Sequence, residues 1–198
     1  MNVIMNNGLA ALVRHGLTTF WWRLQAQGPR LTILWLYGQG ISVLTGIPMS
    51  RYCRITPEIF VGPQYAYKGK EILHQRGVRG TINLRDEFDD AEHGLDFEQY
   101  CYLPTIDRTP PTLAQLHEGV AFIERIVGDG GKVYIHCHGG MGRAPTMAAA
   151  YFISQGLSVT AALDKIKAIR PFINVRPEQQ AQLEAYRAAW QGAGNEQL

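Results

Sequence analysis

A lone cysteine stands at the head of a glycine-rich run that ends on an arginine. The run reads CHGGMGR, from Cys137 to Arg143, and it follows a short apolar segment of strand type. Glycines at 139, 140 and 142 leave room for backbone N–H groups to point inward as an anion-binding nest. A helix predicted from 143 adds the partial positive charge of its N-terminus. We expect both effects to favour a thiolate at Cys137 and to lower its pKa, while Arg143 binds two phosphate oxygens.

A thiolate that attacks phosphorus needs an acid to protonate the departing oxygen. Acidic side chains follow two predicted strands, and ligands of parallel sheets gather where the strands end. Asp107 comes directly after the strand at 100–104 and precedes two prolines. We favour Asp107 as the general acid over the competing loop RDEFDD at 85–90. A surface or helix-capping carboxylate is the alternative interpretation of Asp107.

Other candidates surround these three residues. Substrate binding is assigned to the loop itself, which consists of His138, Gly139, Gly140, Met141 and Gly142. His136 is a candidate donor to the loop backbone or to the sulfur, and solvent exposure is an alternative for His138. No cluster of His, Asp and Glu has metal-ligand spacing, so we expect no metal ion or other cofactor. A structural cysteine in a tight turn is the alternative interpretation of the whole loop.

More distant residues are weaker candidates. Arg170 and Arg176 flank the segment PFINV. For each arginine, a place at the rim of the cleft and a place on the solvated surface are equal alternatives. Gln179 or Gln180 is a candidate to position the hydrolytic water.

Composition describes one globular core and excludes several classes. The chain has 198 residues and a formal net charge of +2, which does not indicate a nucleic-acid partner. Its three cysteines are far apart and include no CxxC pair, so neither a disulfide framework nor a zinc site is expected. No signal-peptide pattern is present at the N-terminus. We expect a cytoplasmic protein, and peripheral membrane association is the open question.

The first fifty residues differ from the rest. No Asp or Glu precedes Glu58, whereas five arginines and three of the four tryptophans lie before that residue. Apolar residues recur at helical spacing over 9–24, and QGPR at 27–30 is expected to end that helix. Glycines and a proline interrupt the apolar stretch at 31–50, which we interpret as an interfacial or core-packing segment, with a true membrane span as the minor alternative. Membrane contact through residues 1–50 and packing on the core are equally weighted alternatives.

From residue 54 onward, strands alternate with helices. Strands are predicted at EIFVG, VRGTINL, YCYLPT and KVYIHC, and helices at 66–77, 112–127, 143–156, 159–170 and 177–190. This order predicts an α/β fold with a central, mostly parallel sheet flanked by helices and an N-terminal helical extension. The predicted division is an extension at 1–50, a catalytic domain at 51–191 and a flexible tail at 192–198.

The motif VYIHCHGGMGR, together with the upstream TID, resembles the dual-specificity group of cysteine-dependent phosphatases over residues 54–190. The resemblance implies a phosphocysteine intermediate at Cys137, phosphate binding by the backbone of 138–143 and by Arg143, and Asp107 as acid and then base. RITPEIFVG, VRGTINLRDEF and IRPFINVRPEQ are similar to the mitochondrial phosphatidylglycerophosphate phosphatase group. That similarity implies that an acidic-aromatic loop, matched by Asp86, Glu87, Phe88 and Asp89, lines the site. GMGRAP resembles the loop of plant starch phosphatases.

One position departs from the pattern. Ala144 stands where a Ser or Thr hydroxyl usually follows the arginine and stabilises the departing thiolate, and Thr146 is the candidate substitute. The leading hypothesis is a phosphatase of a phospholipid such as phosphatidylglycerophosphate. A phosphatase of phosphorylated tyrosine, serine and threonine in proteins is the alternative. A glycan phosphatase and a catalytically dead phosphate-binding adaptor are further alternatives.

Overall fold

A computed structural model describes the backbone of residues 2–195 and the side chains of residues 18 and 20–191. The chain divides into two compact units, Met1–Tyr37 and Gly38–Leu198. The boundary between them lies earlier than the predicted division at residue 50, because the last turns of the first helix belong to the second unit. The predicted tail at 192–198 lies largely outside the described residues.

The first unit is helical. Helix α1 spans Asn2–Thr45 and is broken at Gly28, whose φ of 80° and ψ of 168° are not helical. Pro29 follows, and proline is well suited to begin a helix because it lacks the N–H that a first turn leaves unpaired. The break is sharp enough to bring the guanidinium of Arg23 within 4.5 Å of the Trp35 ring. The predicted stop at QGPR is therefore correct, but the segment after it is also helical.

The apolar composition of α1 does not amount to a membrane span. Among the described residues, no helix is both long enough and apolar enough to cross a bilayer.

The second unit contains a four-stranded sheet. Its strands are β1 (Ile59–Gly62), β2 (Val78–Arg85), β3 (Gln99–Thr105) and β4 (Lys132–His136). They lie in the order β1-β4-β2-β3, and every pairing is parallel. The central pair places Ile82 beside Ile135, both fully buried, which explains why these strands read as continuous apolar runs. The predicted α/β fold with a parallel sheet is confirmed.

Five helices flank the sheet. They are α2 (Tyr67–Gln75), α3 (Leu113–Gly128), α4 (Arg143–Ser154), α5 (Val159–Ile169) and α6 (Pro177–Asn195). Thr112 begins α3 through a capping box with Gln115, as its position before an apolar stripe predicts. Helix α4 is buried along most of its length and packs on α3, α5 and α6.

Because the four strands are parallel, the loops that follow them lie at one edge of the sheet. This edge carries the segments after β1, β2, β3 and β4, which begin at residues 63, 86, 106 and 137. The fold thus brings the cysteine loop, the acidic loop and the Asp107 loop together.

Candidate active site

The cysteine loop connects β4 to α4. Cys137 directly follows the last residue of β4 and is buried, and Gly142 caps α4, which begins at Arg143. The strand therefore sets the position of the sulfur, and the first turn of α4 presents its N-terminal backbone to the same place.

The loop carbonyls are all held from outside the loop. Gln64 N donates to His138 O at 3.1 Å, and Gly139 O accepts from both Gln39 Nε2 at 2.8 Å and Arg170 Nη2 at 2.9 Å. Gly140 O accepts from Arg170 Nε at 2.6 Å. Asn174 N donates to Met141 O at 2.8 Å, and Thr146 N donates to Gly142 O at 3.0 Å. A planar trans peptide directs the next N–H opposite to its C=O, and no described peptide is cis. The N–H groups of residues 139 to 143 therefore point away from these donors, as an oxyanion-binding loop requires.

Glycine is required at one position of this loop. Gly140 has φ of 62°, and a Cβ on it would collide with the backbone of Gly62 and lie 2.8 Å from Arg170 Nη2. No other residue type fits this left-handed conformation and close approach without strain.

Arg143 is buried although it is charged, with only 1% of its surface exposed. Both Nη atoms are engaged by Glu87, at 2.9 and 3.2 Å. Nη1 also donates to Leu84 O at 3.1 Å and Thr105 O at 2.8 Å. In contrast, Nε is buried and finds no hydrogen-bond partner among the residues that the structure describes. One donor of the guanidinium is thus left for an acceptor that the protein does not supply.

The acidic loop after β2 supplies the carboxylates for Arg143. Burial by itself raises the pKa of Glu87, but hydrogen bonds with Arg143 and Asp86 outweigh it and hold that pKa far below its usual range. The hydrogen bond with Glu87 raises the pKa of Asp86, whose Oδ1 lies 3.3 Å from Arg143 Nη1. Burial opposes the charge of Arg143, and the contacts with Glu87 and the neighbouring Cys137 nevertheless raise its pKa. The guanidinium and the Glu87 carboxylate therefore remain an ion pair.

Asp89 has a different position from Asp86 and Glu87. Its carboxylate accepts a hydrogen bond from Tyr100 at 2.6 Å and does not contact Arg143. The same tyrosine hydroxyl accepts from Asn83 at 3.0 Å and from the N–H of Asp90 at 3.2 Å. Asp89 therefore anchors the acidic loop to β3 instead of lining the site.

Asp107 lies in the loop after β3, and its side chain is 65% exposed. Its Oδ1 is 3.1 Å from Arg143 Nη2, so it lies beside the predicted phosphate site. The following residue, Arg108, has φ of 69°, an uncommon value for a residue with a side chain. Gln179 Nε2 donates to Thr109 O at 3.0 Å and holds this loop from α6.

His136 does not support the cysteine loop, contrary to our expectation. Its ring is fully buried and its Nε2 lies 2.9 Å from Asp90 Oδ2, an ion-pair distance without hydrogen-bond alignment. Burial by itself raises the pKa of Asp90, but the interactions with His136, Gln64 and Tyr65 lower it below its usual value. Because β4 places alternate side chains on opposite faces, His136 points away from the loop that Cys137 begins.

Thr146 is also committed elsewhere. Its hydroxyl donates to Gly142 O at 2.9 Å, the back-bond that threonine often makes within a helix. In this arrangement the Thr146 hydroxyl proton is already used and cannot be donated to a departing thiolate. Ala144 has no hydroxyl at the position where the family usually has one.

His138 and Met141 are the two residues other than glycine between Cys137 and Arg143. The His138 side chain is exposed, yet partial desolvation and the charge of Arg85 lower its pKa. Burial and the charge of Arg85 thus favour the neutral imidazole, which still has one N–H donor. Met141 is half-buried, and its methyl group lies near Gly139.

Two supporting residues are placed differently from the sequence prediction. Arg170 is 2% exposed and lies under the loop instead of at a rim, where it also donates to Tyr52 O at 3.0 Å. Gln179 is fully buried and both of its amide atoms are bonded to backbone, so its amide has no free atom for a water. Gln180 is exposed, and its Nε2 donates to Val175 O. Gln39 and Gln64 were not predicted as site residues, because no local pattern marks a side chain whose partner is far along the chain.

No group of three or more His, Cys, Asp or Glu residues that could hold a metal ion occurs in the described part of the chain. The groups that the fold brings together are a sulfur atom, a loop of backbone amides, a buried guanidinium and nearby carboxylates. Such a set can bind a tetrahedral oxyanion, attack it and transfer a proton.

The family model for the catalytic domain of dual specificity phosphatases matches residues 59–189, and the chain belongs to this family. This chain is 34% identical over 119 residues to phosphatidylglycerophosphatase and protein-tyrosine phosphatase 1 of Mus musculus. The matched segment covers 56% of this chain and 62% of that protein. The Homo sapiens protein of the same name is 33% identical over 139 residues, covering 65% and 69%. The chain thus spans less than two thirds of the Mus musculus relative.

Structural similarity agrees with these relatives. The crystal structure of PTPMT1 in complex with PI(5)P superposes with a TM-score of 0.65 and 28% identity, covering 71% of this chain and 97% of that one. The predicted resemblance to dual-specificity phosphatases, and among them to the phosphatidylglycerophosphate phosphatase group, is confirmed.

Proposed function

We propose that this protein is a cysteine-dependent phosphomonoester hydrolase that acts on the headgroup of a phospholipid such as phosphatidylglycerophosphate. The observation that carries the hydrolase proposal is the buried Nε of Arg143, which has no partner among the described residues. An unpaired donor in a buried site is unfavourable, and a phosphate oxygen would satisfy it beside the amides of the cysteine loop.

In the first step, the Cys137 thiolate attacks phosphorus, and the phosphorus–sulfur bond forms as the ester phosphorus–oxygen bond breaks. Asp107 gives its proton to the departing oxygen. The loop amides and Arg143 bind the three remaining phosphate oxygens, on which the charge is spread. The product alcohol leaves, and the phosphate stays on the sulfur.

In the second step, water attacks the phosphocysteine and the Asp107 carboxylate takes a proton from it. The phosphorus–sulfur bond breaks, which releases inorganic phosphate and regenerates the thiolate. No hydroxyl is available at residue 144 to stabilise that thiolate, so the loop amides and the N-terminus of α4 must do so.

Glu87 orients the guanidinium for this work. Its carboxylate binds both Nη atoms, which fixes the plane of the guanidinium, while the buried Nε has no partner among the described residues. A bidentate pair of this kind restricts rotation of the arginine more than a single contact does.

The lipid substrate is supported by two further observations. The relatives are named as phosphatidylglycerophosphatases as well as protein-tyrosine phosphatases, and the similar crystal structure holds PI(5)P. In the first unit, Trp21 and Trp22 are 57% and 47% exposed, and no acidic residue precedes Glu58. Exposed tryptophans with arginines and no carboxylates are suited to an anionic membrane interface, so we propose peripheral membrane contact through the N-terminal segment.

The decisive test compares substrates on the full chain. Hydrolysis of phosphatidylglycerophosphate in vesicles should exceed hydrolysis of a phosphotyrosine peptide in kcat/KM by at least about tenfold, and Cys137→Ser should abolish both. A preference for the peptide would replace the lipid proposal by protein phosphatase activity, which the name of the relatives also carries. Activity that survives Cys137→Ser would refute the mechanism.

A further inference from the structure

A side chain from α1 holds the cysteine loop directly. Gln39 Nε2 donates to Gly139 O at 2.8 Å, across a sequence separation of 100 residues. Gln39 belongs to the compact unit that begins at Gly38, and it lies outside the 59–189 segment that the family model matches. A residue outside the segment matched by the family model therefore holds a carbonyl of the cysteine loop.

The position of this contact is important for anion binding. Gly139 O accepts from Gln39 and also from Arg170 Nη2 at 2.9 Å, and Arg170 Nε holds the next carbonyl at 2.6 Å. The N–H of Gly140 belongs to the same peptide plane as Gly139 O and points the opposite way. Fixing that carbonyl from behind thus aims the Gly140 N–H at the face where an oxyanion binds.

A second set of contacts holds the end of α1 against the neighbouring loop. Ser42 Oγ donates to Gln64 O at 3.4 Å, and Gln64 N donates to His138 O at 3.1 Å. Ala66 N donates to Gly46 O at 2.9 Å, and a Cβ on Gly46 would collide with Ala66. The last turns of α1 are therefore packed closely enough to give Gln39 a defined position.

We propose that Gln39 is a positioning residue for oxyanion binding, so that the last turns of α1 complete the phosphate-binding loop. The inference rests on the hydrolase part of the proposed function and is independent of whether the substrate is a lipid or a protein. Gln39 touches no reacting atom. It acts through the orientation of the peptide between Gly139 and Gly140.

Replacing Gln39 by methionine tests this role, because methionine keeps the length of the side chain and removes the donor. The Kd for orthovanadate, measured by calorimetry on the full chain, should rise about fivefold, the effect of one net hydrogen bond. The KM for para-nitrophenyl phosphate should rise by a similar factor and kcat should change less than twofold, since the loop binds the dianion before and during the reaction.

Gln25→Met is the matched control, because Gln25 is an exposed glutamine on the same helix. Its vanadate Kd and KM should equal those of the unchanged protein. Gln39→Glu is the second variant. It keeps the shape of the side chain but places a carboxylate oxygen against Gly139 O. It should therefore weaken vanadate binding more than Gln39→Met does, and Gln25→Glu is its control. This second pair decides the question if Gln39→Met does not fold.

Equal vanadate Kd values for the Gln39 and Gln25 variants would overturn the proposal. This holds even if the Gln39 variants unfold at a lower temperature, because Gln39 would then contribute to stability and not to anion binding. Direct binding also separates this outcome from failure of the proposed function. A chain that binds vanadate in a Gln39-dependent way but hydrolyses no phosphate ester would retain the positioning role and lose the hydrolase.

Discussion

At the scale of single residues, the site depends on how a buried arginine is kept charged. Removing a guanidinium from water is costly unless it is paired and hydrogen-bonded. Glu87 and the carbonyls of Leu84 and Thr105 satisfy both Nη atoms of Arg143, so the charge is stable before any substrate arrives. Nε remains as the guanidinium donor that an oxyanion would satisfy, next to the amides of the cysteine loop.

Asp107 gives a prediction at the same scale. Asp107→Asn should reduce turnover of a phosphate ester with a poor leaving group by about a hundredfold or more, because such an alcohol must be protonated as it departs. The loss for para-nitrophenyl phosphate should be much smaller, since its leaving group needs little assistance. Steady-state kinetics on the two substrates measures the difference.

Asp164→Asn is the control for that experiment, because Asp164 is an exposed carboxylate on α5 whose ion pair with Lys167 is long, at 3.8 Å. It should leave both rates unchanged, and vanadate should still bind Asp107→Asn. Equal losses on the two substrates would assign the acid to another residue.

At the scale of elements, the cysteine loop works because other elements hold its carbonyls. Its donors come from α1, from the segment after β1, from the end of α5, from the segment before α6 and from α4 itself. A loop of three glycines has many accessible conformations, and each external donor removes some of them. The rigidity of the loop is thus a property of the elements around it.

Gly140→Ala tests the loop as an element, and Gly130→Ala is its control. Both glycines have positive φ, of 62° and 72°, but a Cβ at 130 meets nothing within 4 Å. Urea denaturation should show a loss of about 1 kcal/mol for Gly130→Ala from backbone strain. Gly140→Ala should lose about 3 kcal/mol, because collision with the Gly62 backbone adds to that strain.

Vanadate binding should separate the two glycine variants further. The loop must shift to admit a methyl group at residue 140, so affinity should fall at least about tenfold there and stay unchanged for Gly130→Ala. Similar stability losses with intact vanadate binding in both variants would contradict the close approach of Gly140 to Gly62.

At the scale of the whole molecule, two compact units carry different surfaces. The first presents exposed Trp21, Trp22, Ile33, Leu36 and Tyr37. The second carries the proposed oxyanion site at one edge of a parallel sheet. The membrane contact that we propose for the first unit would raise the local concentration of lipid substrate without changing the chemistry of the proposed hydrolase site.

The paired variant Trp21→Ala with Trp22→Ala tests this arrangement. Binding to vesicles that contain anionic phosphatidylglycerol should weaken about tenfold or more, because two large aromatic surfaces no longer enter the interface. Hydrolysis of para-nitrophenyl phosphate should be unaffected. Vesicle sedimentation measures the binding, and Gln25→Ala, at an exposed polar position of the same helix, is the control. Unchanged sedimentation of the tryptophan variant would remove these side chains from the membrane contact.

The sequence by itself predicted the order and type of the elements from residue 54 onward and the family to which the chain belongs. The chemistry of the cysteine loop stays a prediction from those residues. Apolar periodicity, glycines and the Thr112 cap are local signals, and they predicted β2, β4, α3 and α4 to within two residues. Cys137, Arg143 and Asp107 are candidates because of the same kind of local context: Cys137 directly follows β4, Arg143 begins α4, and Asp107 lies two residues after the end of β3.

Only the tertiary structure decided what holds those residues. His136 pairs with Asp90 instead of the loop, Arg170 lies beneath the loop instead of at its rim, and Gln39 reaches Gly139 from 100 residues away. Such contacts depend on how elements pack, and packing joins residues that no spacing in the sequence connects. Local patterns therefore indicate which side chains can do chemistry. The tertiary structure decides which distant side chains hold the backbone of the loop around them, because those contacts form only when the elements pack.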